Sequence, residues 1–132
     1  MPLMVWDEKY SVGVATMDEQ HRKFFALLNR LHDAMLTGKG RDVQQSVMTD
    51  LVAYTRIHFL QEELLLKTKG FPKYAEHHEK HVAFTRKVQD LEAKMLGGTM
   101  TLTIDIMTFL KNWLREHILV EDTKYGEFLR DR

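Results

Sequence analysis

The stretch YAEHHEKHVAFTRKVQDLEAKM, Tyr74–Met95, decides the fold. Tyr74, His77, His81, Phe84, Val88, Leu91 and Met95 follow one another at alternating steps of three and four, the recurrence of one buried face of an α-helix. The positions between them are mostly Glu, Lys, Arg, Gln and Asp, a solvated face. Two members of the inward stripe, His77 and His81, stand four residues apart, about 40° around the helix and one turn along it. Two imidazoles so placed can reach one metal ion. This helix therefore carries donor groups where a core would ordinarily place only apolar side chains.

The same pattern extends in both directions. Downstream, Ile106, Phe109, Leu110, Trp113, Leu114, His117 and Ile118 form a second inward stripe, and upstream His58 and Glu62 repeat the i, i+4 spacing. Punctuation comes from two prolines and from glycines that fall mostly in clusters. It predicts an extended N-terminal arm (1–17) with Trp6, Tyr10, Val12 and Val14 laid on the bundle. Four helices should follow, over about 18–37, 41–69, 72–96 and 101–125. Asp18 is expected to cap the first, Pro72 to lie near the start of the third, and Gly126 to follow the fourth, ahead of a short charged tail. No segment alternates with a period of two, so no sheet is expected. Short loops between helices of similar length predict an all-α, up-down-up-down antiparallel four-helix bundle.

A chain of 132 residues, 44% apolar and 29% charged, suits one soluble domain spanning 1–132. Nineteen basic and nineteen acidic side chains cancel, so neither nucleic acid nor an anionic membrane is implied as partner. The absence of cysteine excludes disulfides, thiolate metal sites, iron–sulfur clusters and cysteine nucleophiles, and it fits a reducing cytoplasm. The N-terminus lacks the basic and apolar regions of a signal peptide, and no run is long enough to span a membrane. The expected location is cytoplasmic.

Five of the seven histidines, His21, His58, His77, His81 and His117, combine with Glu62 and Asp122 as candidate metal donors. Imidazole and carboxylate together make non-haem iron, zinc or manganese sites. Seven donors exceed one tetrahedral zinc and suit a two-metal centre in which carboxylates bridge. His117 and Asp122, five residues apart, project about 140° from each other on an α-helix, so they should embrace a pocket. Leu114 and Ile118 project into that gap and are candidates for its apolar wall. A single core histidine is ordinarily a hydrogen-bonded structural residue. Burying this many donors without partners would cost on the order of several kcal/mol, which favours metal. His78, off the stripe, should be solvated. His32 returns to the face of His21 but about 16 Å further along, too far to join the centre. Glu63 is expected at the surface, and Glu121, partly inward, as a supporting group or an alternative carboxylate.

These residues resemble the hemerythrin family, the single-domain bacterial hemerythrins in particular, over nearly the whole chain. The resemblance rests on the arm with Trp6 and GVATMDEQH (Gly13–His21), followed by HFLQEE (His58–Glu63), HHEKH (His77–His81) and WLREHILVED (Trp113–Asp122). Any one of these elements alone is weak; the ordered set is specific. It implies a centre of two non-haem iron ions, one held by His77, His81 and His117 and the other by His21 and His58. Glu62, Asp122 and an oxo or hydroxo group would bridge them. By count the first iron is then filled and the second keeps one position open, where dioxygen is the expected ligand. Such a histidine-rich site has fewer anionic donors than the Glu-x-x-His sites of other di-iron bundles, which favours reversible binding over oxidation chemistry. Leu114, Ile118 and Trp113 are the candidate pocket residues that exclude water.

The reading is reversible dioxygen binding for transport, storage or delivery, not enzymatic catalysis beyond a weak peroxidase-like side activity. The expected partners are dioxygen and, for delivery, an oxygen-consuming enzyme. The alternatives are an oxygen or redox sensor acting through a partner protein, and peroxide or nitric oxide turnover at the same centre. Only seven residues follow Tyr125, read as too few for an output domain, which favours the carrier. Short loops and balanced charge favour a monomer.

Overall fold

Residues 2–38 and 40–130 are described in the structure, a computed structural model. Met1, Lys39, Asp131 and Arg132 lie outside the described residues, and with them the outermost positions of the expected arm and tail. The helices are α1 (Ala15–Leu36), α2 (Arg41–Thr68), α3 (Tyr74–Leu96), α4 (Ile104–Glu116) and α5 (Thr123–Arg130). A π-helical turn, His117–Asp122, joins α4 to α5 without a break, so these segments make one rod. The four rods run up, down, up and down, with no strand among the described residues. Gly70 shows how tightly the turns are made. At φ 72° it lets its own N–H bond Lys67 O (3.1 Å) and the Phe71 N–H bond Leu66 O (2.9 Å), closing the end of α2 in a Schellman turn.

All seven stripe positions of α3 point inward as expected, six of them buried and Tyr74 half-buried. On α4 the stripe is rotated. Met107, Leu110 and Leu114 are buried, while Phe109 is exposed and Ile106 half-buried. Away from the polar centre the core is apolar, built from Leu28, Leu31, Met48, Leu51, Val88, Leu91, Met107 and Leu110. The imidazoles and carboxylates occupy the other half, where α1 begins, α2 ends, α3 begins and the π turn lies.

Two helix ends differ from expectation for tertiary reasons. The first helix opens at Ala15, with Val14 at its cap position and no side-chain cap. Asp18 lies inside that helix and is buried. Its carboxylate accepts from Ser11 Oγ (2.6 Å) and Val12 N (2.8 Å), tying the arm down rather than starting the helix. The last rod does not stop at Tyr125 but continues through Gly126 to Arg130. Gly126 faces the Val12 carbonyl, with which a Cβ would collide, so this glycine serves close approach of the arm. The third helix begins at Tyr74, two residues beyond Pro72, and the fourth at Ile104. Thr103 caps the latter through its hydroxyl.

The arm is anchored over the start of α1. Asn29 pairs with the Met4 backbone in both directions (2.8 and 2.9 Å). Trp6 packs on Tyr10 and Phe25, with Arg22 over its ring. No helix among the described residues is long and apolar enough to cross a membrane.

Candidate metal centre

Glu62 and Asp122, both fully buried, sit between the five imidazoles. On one side are His77 Nε2, 2.8 Å from Glu62 Oε1 and 3.1 Å from Asp122 Oδ1, and His81 Nε2, 3.1 Å from Glu62 Oε1. His117 Nε2, 3.2 Å from Asp122 Oδ1, completes this side. On the other side, His21 Nε2 lies 3.2 Å from Asp122 Oδ2 and 3.4 Å from Glu62 Oε2, and His58 Nε2 lies 3.4 Å from Glu62 Oε2. Between them, Glu62 Oε1 and Asp122 Oδ1 thus face three imidazoles, and Glu62 Oε2 and Asp122 Oδ2 face the other two. Donor atoms of Glu62, His77, His81, His117 and Asp122 fall within 4.8 Å of one another, as do those of His21, His58 and Glu62.

The π turn is what aligns the fourth rod's two donors. Its i→i+5 bonding widens the turn beyond the 3.6 residues of an α-helix, so residues five apart come back to one face. His117 and Asp122 consequently share a face instead of embracing a gap as α-helical projection predicts. The carbonyls loosened there are engaged by the Thr123 hydroxyl, which bonds Leu119 O (2.8 Å) and Val120 O (3.1 Å). Leu114 and Ile118, three residues before His117 and one after it, are both buried. Trp113 is half-buried, stacked on His117 (4.5 Å between ring centres) and on Phe84 (3.7 Å).

The electrostatics suit cations. Burial alone would raise the carboxyls, but the surrounding imidazoles hold Glu62 and Asp122 far below the usual carboxylate range. Burial would likewise lower His21 and His77; the flanking carboxylates outweigh it and raise them to about 10 and about 9. His58, buried further from those charges, is lowered. Neither Asp122 oxygen and neither His21 nitrogen meets a hydrogen-bond geometry, so their attraction is charge proximity rather than directed bonding. Buried polar atoms without partners are rare. Here both Asp122 oxygens and His21 Nε2 are metal-donor atoms aimed at a common centre, and the donor set fits two cations.

Several supporting residues could not be singled out from spacing. Glu63 is not a surface residue. It is largely buried and accepts from His81 Nδ1 (2.8 Å), with His78 Nδ1 at 2.6 Å and the Tyr74 hydroxyl at 3.4 Å. His78 is exposed as expected, yet it is engaged by Glu63. Gln20 Oε1 faces His58 Nδ1 at 2.6 Å, and its amide donates to Gln61 Oε1. The buried Tyr125 hydroxyl donates to Glu62 Oε2 (2.8 Å); its position three residues after Asp122 was the available signal. Phe59 lies flat on His81, with ring centres 3.7 Å apart. Glu121 stays out of the donor groups, paired with Lys80 (3.1 Å) and Lys124 (3.3 Å). His32 is half-buried and also outside them.

The family profile described as Hemerythrin HHE cation binding domain matches residues 12–129. The bacteriohemerythrin of Stenotrophomonas maltophilia is 32% identical over 96% of this chain and 82% of its own length. That of Methylococcus capsulatus is 31% identical over 98% of both chains. A crystal structure of wild-type hemerythrin superposes with a TM-score of 0.90 at 31% identity, covering 95% of this chain and 96% of that one. A mutant hemerythrin structure gives 0.92 at 30%, covering 96% and 97%. With a four-helix bundle, a buried histidine–carboxylate cluster and relatives matched along almost its full length, the chain belongs to the hemerythrin family of non-haem di-iron, oxygen-binding proteins.

Proposed function

We propose that this chain binds dioxygen reversibly and serves in its transport, storage or delivery. His77, His81 and His117 would hold one iron and His21 and His58 the other, with Glu62, Asp122 and a solvent-derived oxygen bridging. The observation that carries the reading is the division of the two buried carboxylates, each with one oxygen on the side of His77, His81 and His117 and the other on the side of His21 and His58. Two iron ions so held would supply the two electrons that dioxygen binding takes.

The chain's own residues restrain that chemistry. Leu114 and Ile118, both buried, keep water from the centre, and Trp113 covers one face of the His117 ring. The Tyr125 hydroxyl donates a hydrogen bond to Glu62 Oε2 and keeps its proton: burial, reinforced by the Glu62 charge, pushes its pKa far above the ordinary tyrosine value. Of the two additional carboxylates, Glu63 is engaged by His81 and His78 and Glu121 by two lysines, which speaks for a carrier over an acid–base enzyme. The reading extends to one domain spanning the chain, acting as a cytoplasmic monomer that exchanges dioxygen with an oxygen-consuming enzyme.

The test is a visible spectrum of protein loaded with iron under anaerobic conditions, recorded before air, after air and after degassing. A charge-transfer band that appears with air and disappears on degassing is expected. Prompt, irreversible conversion to the ferric form would defeat the carrier reading.

A further inference from the structure

The two imidazole groups differ in what stands behind them. On the three-histidine side, His81 Nδ1 donates to the Glu63 carboxylate at 2.8 Å. On the two-histidine side, His58 Nδ1 donates to the neutral amide oxygen of Gln20 at 2.6 Å, and His21 Nδ1 has no partner among the described residues. Of the five imidazoles, His81 alone among the described residues has a carboxylate on its outer nitrogen. Glu63 is itself held from several directions, by Tyr74 and His78 on α3 as well as by His81, and its side chain is only 13% exposed.

A hydrogen bond from Nδ1 fixes the tautomer in which Nε2 carries the lone pair, and it fixes the ring's orientation. An anionic acceptor does this more strongly than an amide, because the bond is charge-assisted, and it makes Nε2 the better donor. The flat contact of Phe59 on one face of the His81 ring restricts its rotation further. Resting on the proposed ligand set, we infer that Glu63 is a positioning residue that makes the His77–His81–His117 side the tighter of two unequal metal positions. The pair of metals therefore loads in two steps. Glu63 widens the gap between them, while the uncharged Gln20 leaves the His58 side weaker.

Cobalt(II) titration of the metal-free protein, followed by its visible ligand-field absorption, separates the two steps. Glu63→Gln should weaken the first step about 10-fold or more and leave the second in place. Gln20→Glu, which sets a carboxylate behind His58, should tighten the second step and narrow the gap. His78→Ala, which leaves the Glu63–His81 bond intact, should change neither. Nitrogen NMR of His81 in the metal-free variants, recorded at a pH where the ring is neutral, reports the tautomer independently of any loading. Equal weakening of both steps in Glu63→Gln, with circular dichroism unchanged, would show a general structural role and overturn the inference. So would unaltered titration. A wild-type chain that binds no second cobalt would instead defeat the two-metal reading, while the His81 tautomer would still test Glu63.

Discussion

His21 and His77 illustrate how a few buried charges set the behaviour of the whole centre. Burial disfavours their imidazolium forms, but Glu62 and Asp122 reverse the balance and raise them to about 10 and about 9 from the usual 6.5. At neutral pH both therefore hold protons in the metal-free protein, and a metal ion must displace them. Metal loading at pH 7 should release roughly one proton from each of these histidines, and affinity should rise with pH toward 9 to 10. Calorimetry in buffers of different ionisation enthalpy measures that release; loading without proton release at pH 7 would contradict it. The metal-free fold has the opposite slope. Its gain from these protons is complete below 6.5 and is lost as pH rises through the shifted values. The histidines themselves were legible in sequence because their spacing is helical. Glu63 and Gln20 were not, because each acts on a histidine of another helix.

At the scale of the element, the π turn is the feature that helical projection could not supply. A widened turn of this kind amounts to one residue inserted into an α-helix, and such turns recur at functional sites. Here it lets His117 and Asp122, five apart, act like an i, i+4 pair, and it keeps Tyr125 in register with Glu62. Val120 is the exposed member of the turn. Deleting it should leave a regular helix in which the same two donors stand four apart and still share a face. The shortened chain should keep two cobalt ions per molecule by elemental analysis. Loss of one ion would mean that the width of the turn, and not only the alignment, is required. Asp18 teaches the complementary lesson: a residue type that favours helix starts was placed within a helix because Ser11 and Val12 of the arm needed its carboxylate.

For the whole molecule, the arm and the last rod meet where only glycine fits. A Cβ at Gly126 would strike the Val12 carbonyl, a backbone atom that cannot rotate away. Gly126→Ala should cost about 1–3 kcal/mol through overpacking, read as a lower Tm. Gly40→Ala, at φ −60° with open space around it, should be neutral or slightly stabilising. Equal melting of the two variants would show that the arm yields at no cost. The helices, their antiparallel order and the seven candidate donors were legible in the sequence itself, because periodicity, turn residues and donor spacing are local properties that a linear pattern records. Tertiary structure alone decided the rest. It set the division of the carboxylate oxygens between two imidazole groups, the Glu63 support of His81, the alignment through the π turn, and the continuation of the last rod past Gly126. Each of these depends on which atoms of distant segments meet, and that is fixed only when the four rods and the arm pack together.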